Sequence, residues 1–400
     1  MLASAIVVVI AGLLHAAAMA TPWDGQPAGW LQLLALGVLA WQLNRRTRPV
    51  QGGLLGWLFA TAWLAGTFWW MFVAMHTYAG LAAGLAAFAV GALAAVLAIY
   101  YGLACGLFVA LAPRNRLAAA VLFAALWLLA ELARGVWFTG FGWGAAGYAH
   151  IGALAHSAAY VGAYGVAALV AFIAHLGSSV LQAPRSMRSA GLAGLAVVIA
   201  GAMAWVPTGF STGGPTLQVA LLQGNIPQDE KFQPGTGVVD SLRWYGQELN
   251  AASASLVVAP ETAIPLLPQQ LPTGYWSALQ LRFREGTQAT LIGIPLGDTA
   301  TGYTNSVIGL KPGASGPLNL DYRYDKHHLV PFGEFIPPFF RWFTNMMESP
   351  LGDFNRGPVG QASFEWQGQR LAPNVCYEDL FGEELGARFR DPAKAPTIFV

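Results

Sequence analysis

The chain has 400 residues, 55% of them hydrophobic and only 10% charged, with a formal net charge of +1. A soluble domain carries about 25% charged residues, which argues against a wholly soluble protein, and the near-neutral balance supplies no broad basic field for nucleic acid. The charge is also unevenly placed: residues 1–210 hold 8 of the 21 Lys and Arg and 2 of the 20 Asp and Glu, namely Asp24 and Glu131. The expected organisation is a polytopic α-helical membrane domain over 1–207, a linker over 208–216 and a water-facing domain over 217–400.

A membrane-spanning helix needs about 20 apolar residues. Seven apolar runs approach that length: 3–20, 27–43, 54–75, 81–111, 117–134, 157–182 and 189–206. The fourth exceeds an upright span and is expected to tilt or to extend beyond the bilayer. Gly80, Gly84, Gly91, Gly102 and Gly106 permit close helix–helix approach. Trp57, Trp63, Trp69, Trp70, Trp127, Trp137 and Trp143 fall mostly near span ends, as interfacial anchors do. Ala18-Met19-Ala20 has the form of a signal-peptidase site. The first fourteen residues carry no Lys or Arg, however, so retention of residues 1–20 as the first span is expected.

Arginines set the orientation. Arg45, Arg46 and Arg48 follow the second run, Arg114 and Arg116 the fourth, and Arg185 and Arg188 the sixth. By the positive-inside rule these alternate loops are cytoplasmic, and seven crossings then place the polar half outside, in the periplasm of a Gram-negative cell. Glu131 and Arg134, three positions apart, share a helix face. A structural ion pair is the first reading, and contact with a lipid headgroup the alternative.

Residues 208–215 are rich in Gly, Ser, Thr and Pro, as linkers are. Beyond them, β-type runs at 217–226, 255–259, 288–295, 306–310 and 371–375 alternate with helical patterns at 238–252, 275–285 and 379–389, predicting a layered α/β domain. The chain stops at 397–400 within an apolar, strand-like run, an unusual place for a domain to end. Of the two cysteines, Cys105 lies in an apolar run and Cys376 in the polar half, so no disulfide is expected.

Three segments put reactive groups just after β-type runs, where sites in α/β sheets sit. Val257–Pro265 contains Glu261, Tyr324–Glu334 contains Lys326 and Glu334, and Asn374–Glu378 contains Cys376. A carboxylate, an ammonium and a thiol are the parts of nucleophilic acyl transfer: a base for the thiol proton, a thiolate for a carbonyl carbon, a cation for the oxyanion. Taken singly, Glu261 reads equally as a helix cap, Lys326 as a solvated charge and Cys376 as core. No metal-ligand cluster is evident, because His327 and His328 are adjacent and on a strand would point to opposite faces.

Together these segments resemble the nitrilase superfamily, with its Glu–Lys–Cys triad, and within it the apolipoprotein N-acyltransferases. The resemblance covers nearly the whole chain. It includes Glu131-Leu132-Ala133-Arg134-Gly135, Thr139-Gly140-Phe141-Gly142-Trp143, Gln223-Gly224-Asn225-Ile226-Pro227, Pro260–Pro265, Tyr303-Thr304-Asn305-Ser306, Lys326–Pro337 and Cys376-Tyr377-Glu378. It implies an αββα sandwich for the second domain. Glu261 would be the general base, Cys376 the nucleophile and Lys326 the oxyanion cation, with Glu334 and Glu378 in support and Tyr377 and Asn305 lining the site. Phe232 stands where many members have Trp, Gly142 replaces a common Pro and His327 a common Arg.

The resemblance further implies transfer of the sn-1 acyl chain of a phospholipid, typically phosphatidylethanolamine, through a Cys thioester. The acceptor would be the S-diacylglyceryl-cysteine amine of an apolipoprotein, with no metal or diffusible cofactor and with the enzyme in the bacterial inner membrane. An apolar run from Phe335 to Met347, including Phe339, Phe340, Trp342, Phe343 and Met346, fits a mobile arm that dips into the membrane surface; ordinary core is the alternative. Family members continue past the point where this chain stops, so an incomplete catalytic domain is expected. Two other readings remain open: a membrane-tethered carbon–nitrogen hydrolase that passes the acyl group to water, and an inactive nitrilase-like membrane scaffold.

Overall fold

The computed structural model describes residues 1–182, 186–210, 212–313, 321–338, 340–344 and 353–400. The chain divides into two compact units, Met1–Thr212 and Gly213–Val400. Arg185, Phe339, Met346 and Met347 lie outside the described residues.

The first unit is helical: α1 Leu2–Ala17, α2 Gly29–Leu43, α3 Pro49–Thr67, α4 Trp69–Val73 with a π-helical turn Ala74–Tyr78, α5 Ala83–Leu111, α6 Arg116–Val136, α7 Ala158–Gln182 and α8 Met187–Ala204. Local chemistry marks their ends. Pro49 opens α3 where its missing N–H costs nothing. The Asn115 side chain accepts from Leu117 N (2.9 Å) and Ala118 N (3.1 Å) at the start of α6. Helices α3 and α5 touch through small residues. A Cβ on Gly56 would lie 2.6 Å from Cys105 Sγ, and one on Gly53 3.2 Å from Gly102 O, so backbones meet where larger side chains would hold them apart. Cys105 is thereby buried in the helical core.

Seven spans were expected, and among the described residues the first unit holds seven long helices, α1, α2, α3, α5, α6, α7 and α8, which differ in length. Among the described residues, four helices are long and apolar enough to cross a bilayer: Ala83–Leu111, Arg116–Thr139, Leu154–Val180 and Met187–Ala204. The pair Pro49–Thr67 and Trp69–Tyr78, bent by 54°, makes a fifth if counted as one span. Leu2–Ala17 and Gly29–Leu43 have 16 and 15 residues. At 1.5 Å per residue each is about 23 Å long, short of a hydrocarbon core of about 30 Å. Pro22, Gly25 and Pro27 lie in the connection and end the helical geometry on both sides. The 29 residues of α5 extend about 43 Å, longer than that core. These apolar helices make the chain a membrane protein.

The second unit carries α9 Gly237–Ala251, α10 Tyr275–Arg284, α11 Arg341–Thr344, α12 Gly382–Gly386 and two sheets. In the first sheet β1 (Val219–Leu221), β2 (Leu256–Ala259) and β3 (Ala289–Asp298) run parallel, and β4 (Gly302–Leu310) and β5 (Tyr322–Asp325) continue antiparallel. The second sheet holds β6 (Phe364–Trp366), β7 (Gln369–Ala372) and β8 (Ile398–Phe399), with β8 parallel to β7.

Period-two alternation decides the layers. On β2, Val257 and Ala259 join the core formed with Leu242, Leu249, Leu279 and Phe283 of α9 and α10. Leu256 and Val258 turn to the other face and meet Phe364, Leu371 and Ile398 of the second sheet. The order is therefore helices, sheet, sheet, an α/β architecture.

Two sequence expectations change in this unit and a third is met. The run 217–226 forms a strand over Val219–Leu221, with Gln218 O accepting from Leu256 N (3.1 Å) and Leu222 N donating to Val258 O (2.8 Å) at its ends, and the extended run stops where Asn225 adopts a left-handed φ of 49° and Pro227 lacks a donor. The helix expected over 379–389 is broken into a 3-10 turn at Cys376–Leu380, α12 and a 3-10 turn at Ala387–Phe389, with Gly382 and Gly386 bounding the central piece. The strand at 397–400 exists as β8, completed by Asn374 N donating to Val400 O at 2.8 Å.

Candidate active site

Glu261, Lys326 and Cys376 each leave the carboxyl end of a strand: β2 through Pro260, β5 directly, and β7 through 373–375. Around Glu261 the chain turns sharply, with Thr262 at φ 47°. Gly293 in β3 makes room for that turn, since a Cβ there would sit 2.3 Å from Pro260 O and 2.7 Å from Glu261 Cα. Ile264 N donates to Gly293 O (3.2 Å) and ties the far side of the turn to the sheet.

Lys326 is 1% exposed, and its ammonium donates to Glu261 Oε1 (3.2 Å) and Glu334 Oε1 (2.9 Å). The pairing Ser306↔Asp325 sets Asn305 beside Lys326, and Lys326 N donates to Asn305 O at 2.8 Å. The Asn305 amide then donates to both carboxylates, at 2.5 Å to Glu261 Oε1 and 2.7 Å to Glu334 Oε1. Its Oδ1 is buried and without a partner among the described residues. Glu334 also accepts from Val330 N at 2.9 Å, so the Pro331–Glu334 turn, with Phe332 at φ 63°, is folded onto its own carboxylate. Burial opposes the charge on Lys326, but Glu261 and Glu334 together outweigh it and hold the ammonium above its ordinary range.

Cys376 is exposed and sits at φ 55°, a left-handed conformation that costs a non-glycine residue about 1–3 kcal/mol and presents the side chain at a sharp strand-to-turn corner. Desolvation and then the charge of Glu261 push its thiol above the ordinary value, Lys326 pulls it down and Glu334 adds to the rise. The resting sulfur is therefore a thiol at neutral pH. It needs a base to become a nucleophile.

Glu378 stands behind this corner, 4% exposed, and is bonded on all sides. Its Oε1 accepts from Tyr324 OH (2.6 Å) and His327 N (2.7 Å), and its Oε2 from Val375 N (2.9 Å). One carboxylate thus joins the segment before Cys376 to the segment after Lys326. Tyr377 is buried against His328 and Phe381, at ring separations of 5.4 and 5.1 Å. His327 and His328 do not point to opposite faces as a strand would require. β5 ends at Asp325, and both rings reach Glu384, at 3.7 and 3.0 Å.

Phe232 is 43% exposed, with the neighbouring Lys231 ammonium 5.8 Å from its ring centroid. Lys231 is a site residue that the sequence pattern did not single out: its Nζ donates to Glu261 O at 3.0 Å. Only tertiary folding brings the 223–233 segment against the end of β2, although its position next to Phe232 was a usable signal. In the apolar arm, Phe340 and Trp342 are exposed, and Arg341 pairs with Asp353 at 2.8 Å.

Comparison with known proteins covers both units. A family profile described as "Apolipoprotein N-acyltransferase N-terminal domain" matches residues 11–176. The chain is 57% identical to the apolipoprotein N-acyltransferase of Verminephrobacter eiseniae over 98% of its own length and 75% of the relative's. It is 43% identical to that of Ralstonia nicotianae, over 92% and 70%, and 40% identical to that of Bordetella bronchiseptica, over 95% and 76%. The chain belongs to the apolipoprotein N-acyltransferase family.

Proposed function

We propose that the protein N-acylates the terminal S-diacylglyceryl-cysteine of apolipoproteins, with a phospholipid such as phosphatidylethanolamine as acyl donor and Glu261, Lys326 and Cys376 as the triad. The observation that carries the reading is the Lys326 ammonium held between Glu261 and Glu334 within electrostatic reach of a protonated Cys376. Glu261 takes the Sγ proton as sulfur attacks the sn-1 ester carbonyl carbon. Lys326 neutralises the tetrahedral oxyanion. Collapse breaks the ester C–O bond, and the leaving glycerol oxygen takes the proton from Glu261, giving a lysophospholipid and a Cys376 thioester. The acceptor amine then attacks the thioester carbon, Glu261 receives the amine proton, and the departing sulfur is reprotonated as the amide forms.

In this reading Glu334 and Asn305 hold Lys326 and Glu261 in register, and Glu378 holds the Cys376 corner. Tyr377 packs beneath that corner, and Phe232 and the arm bearing Phe340 and Trp342 meet the lipid chains. The second unit is read as a nitrilase-like αββα sandwich over 217–400, joined by a linker over 208–216 to a membrane domain over 1–207. The loops bearing Arg45, Arg46, Arg48, Arg114, Arg116 and Arg188 face the cytoplasm, which puts the catalytic unit in the periplasm at the bacterial inner membrane.

The test is the intact mass of the protein after incubation with phosphatidylethanolamine and no acceptor. One added acyl mass, removed by hydroxylamine and absent in Cys376→Ala, is expected. No adduct on the unaltered protein, or an adduct that persists in Cys376→Ala, overturns the proposal.

A further inference from the structure

Two lysines meet Glu261, and the mechanism above uses one. Lys326 is shared between two carboxylates. Lys231 has no carboxylate within 4 Å among the described residues, and the one hydrogen bond its ammonium makes there is to the main-chain oxygen of Glu261. The approach is built by a tight turn after β1: Glu230 N and Lys231 N both donate to Pro227 O, at 3.1 and 2.9 Å, and Val238 N closes onto Gln233 O at 3.1 Å. This brings the lysine over the corner at Pro260-Glu261-Thr262. Within that corner Pro260 O is held by the main chain, by Ala263 N, and the residue after Ala263 is anchored by Ile264 N donating to Gly293 O of β3. The carbonyl of Glu261 alone is held by a charged side chain.

We infer that Lys231 is the positioning residue of the general base: it fixes the Glu261 corner through the main-chain carbonyl and sets a second positive charge beside the Glu261 side chain. The charged and titratable groups facing Glu261 are Lys326 and Lys231 on the positive side and Glu334 on the negative side, with the uncharged Cys376 thiol alongside. One ammonium against two carboxylates leaves an excess of negative charge. The half-buried Lys231, whose desolvation lowers its own pKa while Glu261 raises it, offsets that excess. The inference rests on the role proposed for Glu261.

The experiment follows Cys376 acylation by phosphatidylethanolamine in single turnovers, by intact mass across pH, for the full chain and for Lys231→Met and Lys231→Arg. Lys231→Met is expected to acylate about 10- to 100-fold more slowly, as small misplacements of a reacting group do. The acid limb of its rate profile is expected to move to higher pH by about half a unit or more, because loss of a nearby cation favours the protonated carboxyl. Lys231→Arg is expected to restore the limb and most of the rate. Lys231→Gln serves in place of Lys231→Met if that variant does not accumulate as folded protein. An unchanged rate and profile in the uncharged variant overturns the inference, as does a slow variant with an unmoved limb that Arg does not rescue. Failure of the unaltered chain to acquire any acyl mass is a different result, and it sinks the triad itself.

Discussion

Each unit of this protein buries a cation against carboxylate, and the two clusters are built to opposite ends. In the helical unit, Arg134 and Glu131 have no side-chain exposure and pair at 3.0 Å. Arg134 also donates to Tyr101 OH (2.8 Å), Phe141 O (2.7 Å) and Trp143 O (2.8 Å), and Glu131 accepts from Ala146 N (3.2 Å). Charges balance and the donors end on protein, so the pair staples the 137–149 connection to α6. This closed arrangement, with both side chains fully buried and bonded to protein, is that of the structural pair.

In the α/β unit, one ammonium faces two carboxylates, Glu261 keeps 32% side-chain exposure, Asn305 Oδ1 has no partner among the described residues and an exposed thiol stands alongside. A balanced, saturated cluster is scaffold. An unbalanced cluster with one open side has proton affinity left for chemistry.

The comparison breaks most readily at Arg134. Replacing it with Met leaves Glu131 buried without its cation, and stability is expected to fall by about 3–5 kcal/mol, seen as a lower melting temperature in detergent. Acylation should fall only with the folded fraction. Lys326→Met should do the reverse. Acylation is expected to slow by about 100- to 1000-fold, while the melting temperature falls less than for Arg134→Met, because Glu261 is partly hydrated. Equal losses of stability in the two variants would erase the distinction drawn between the clusters.

Glu378 sharpens it further. Glu378→Gln removes a charge that four donors share, Tyr324 OH and the main-chain N–H groups of His327, His328 and Val375, and sets an amide N–H against one of them, so a stability loss of about 1–3 kcal/mol is expected, together with slower acylation because the Cys376 corner loosens. The smallest effect concerns the thiol alone. Alkylation of Cys376 should have its pH midpoint above the ordinary thiol value of about 8.5, since burial and Glu261 both raise it. In Glu261→Gln one negative neighbour is gone, the thiolate is favoured and the midpoint should move down. In Lys326→Met a positive neighbour is gone and it should move up. A Glu261 variant that no longer transfers acyl chains yet alkylates faster would separate the base role of Glu261 from its field.

Much of this organisation is readable in one dimension, because it rests on short-range physics. Apolar runs located the long helices of the first unit, six of them to within three residues and α3, expected over 54–75 and found over Pro49–Thr67, less closely, since a side chain facing lipid or helix core must be apolar wherever it sits. At the connection carrying Pro22, Gly25 and Pro27 the helices stop slightly short of the hydropathy runs: α1 ends at Ala17 and α2 begins at Gly29. Strand-to-loop junctions carrying Glu261, Lys326 and Cys376 stood out as motifs, and resemblance tied them together. Neither could show that one ammonium would be shared by Glu261 and Glu334, or that Glu378 would tie the 324–328 segment to the residue before Cys376.

Those features, and Lys231 on the Glu261 carbonyl, join residues 8 to 65 positions apart through sheet register and loop closure. The same holds for the histidine pair. Strand periodicity applied to 327–328 put the rings on opposite faces, but the strand stops at Asp325 and both rings converge on Glu384. Hydropathy, turn chemistry and the identity of reactive groups are properties of residues and their neighbours, so they are legible along the chain. Charge balance, proton affinity and the direction of a side chain are sums over everything that surrounds a site. They exist only once distant segments have been brought within a few ångströms and water has been excluded from between them.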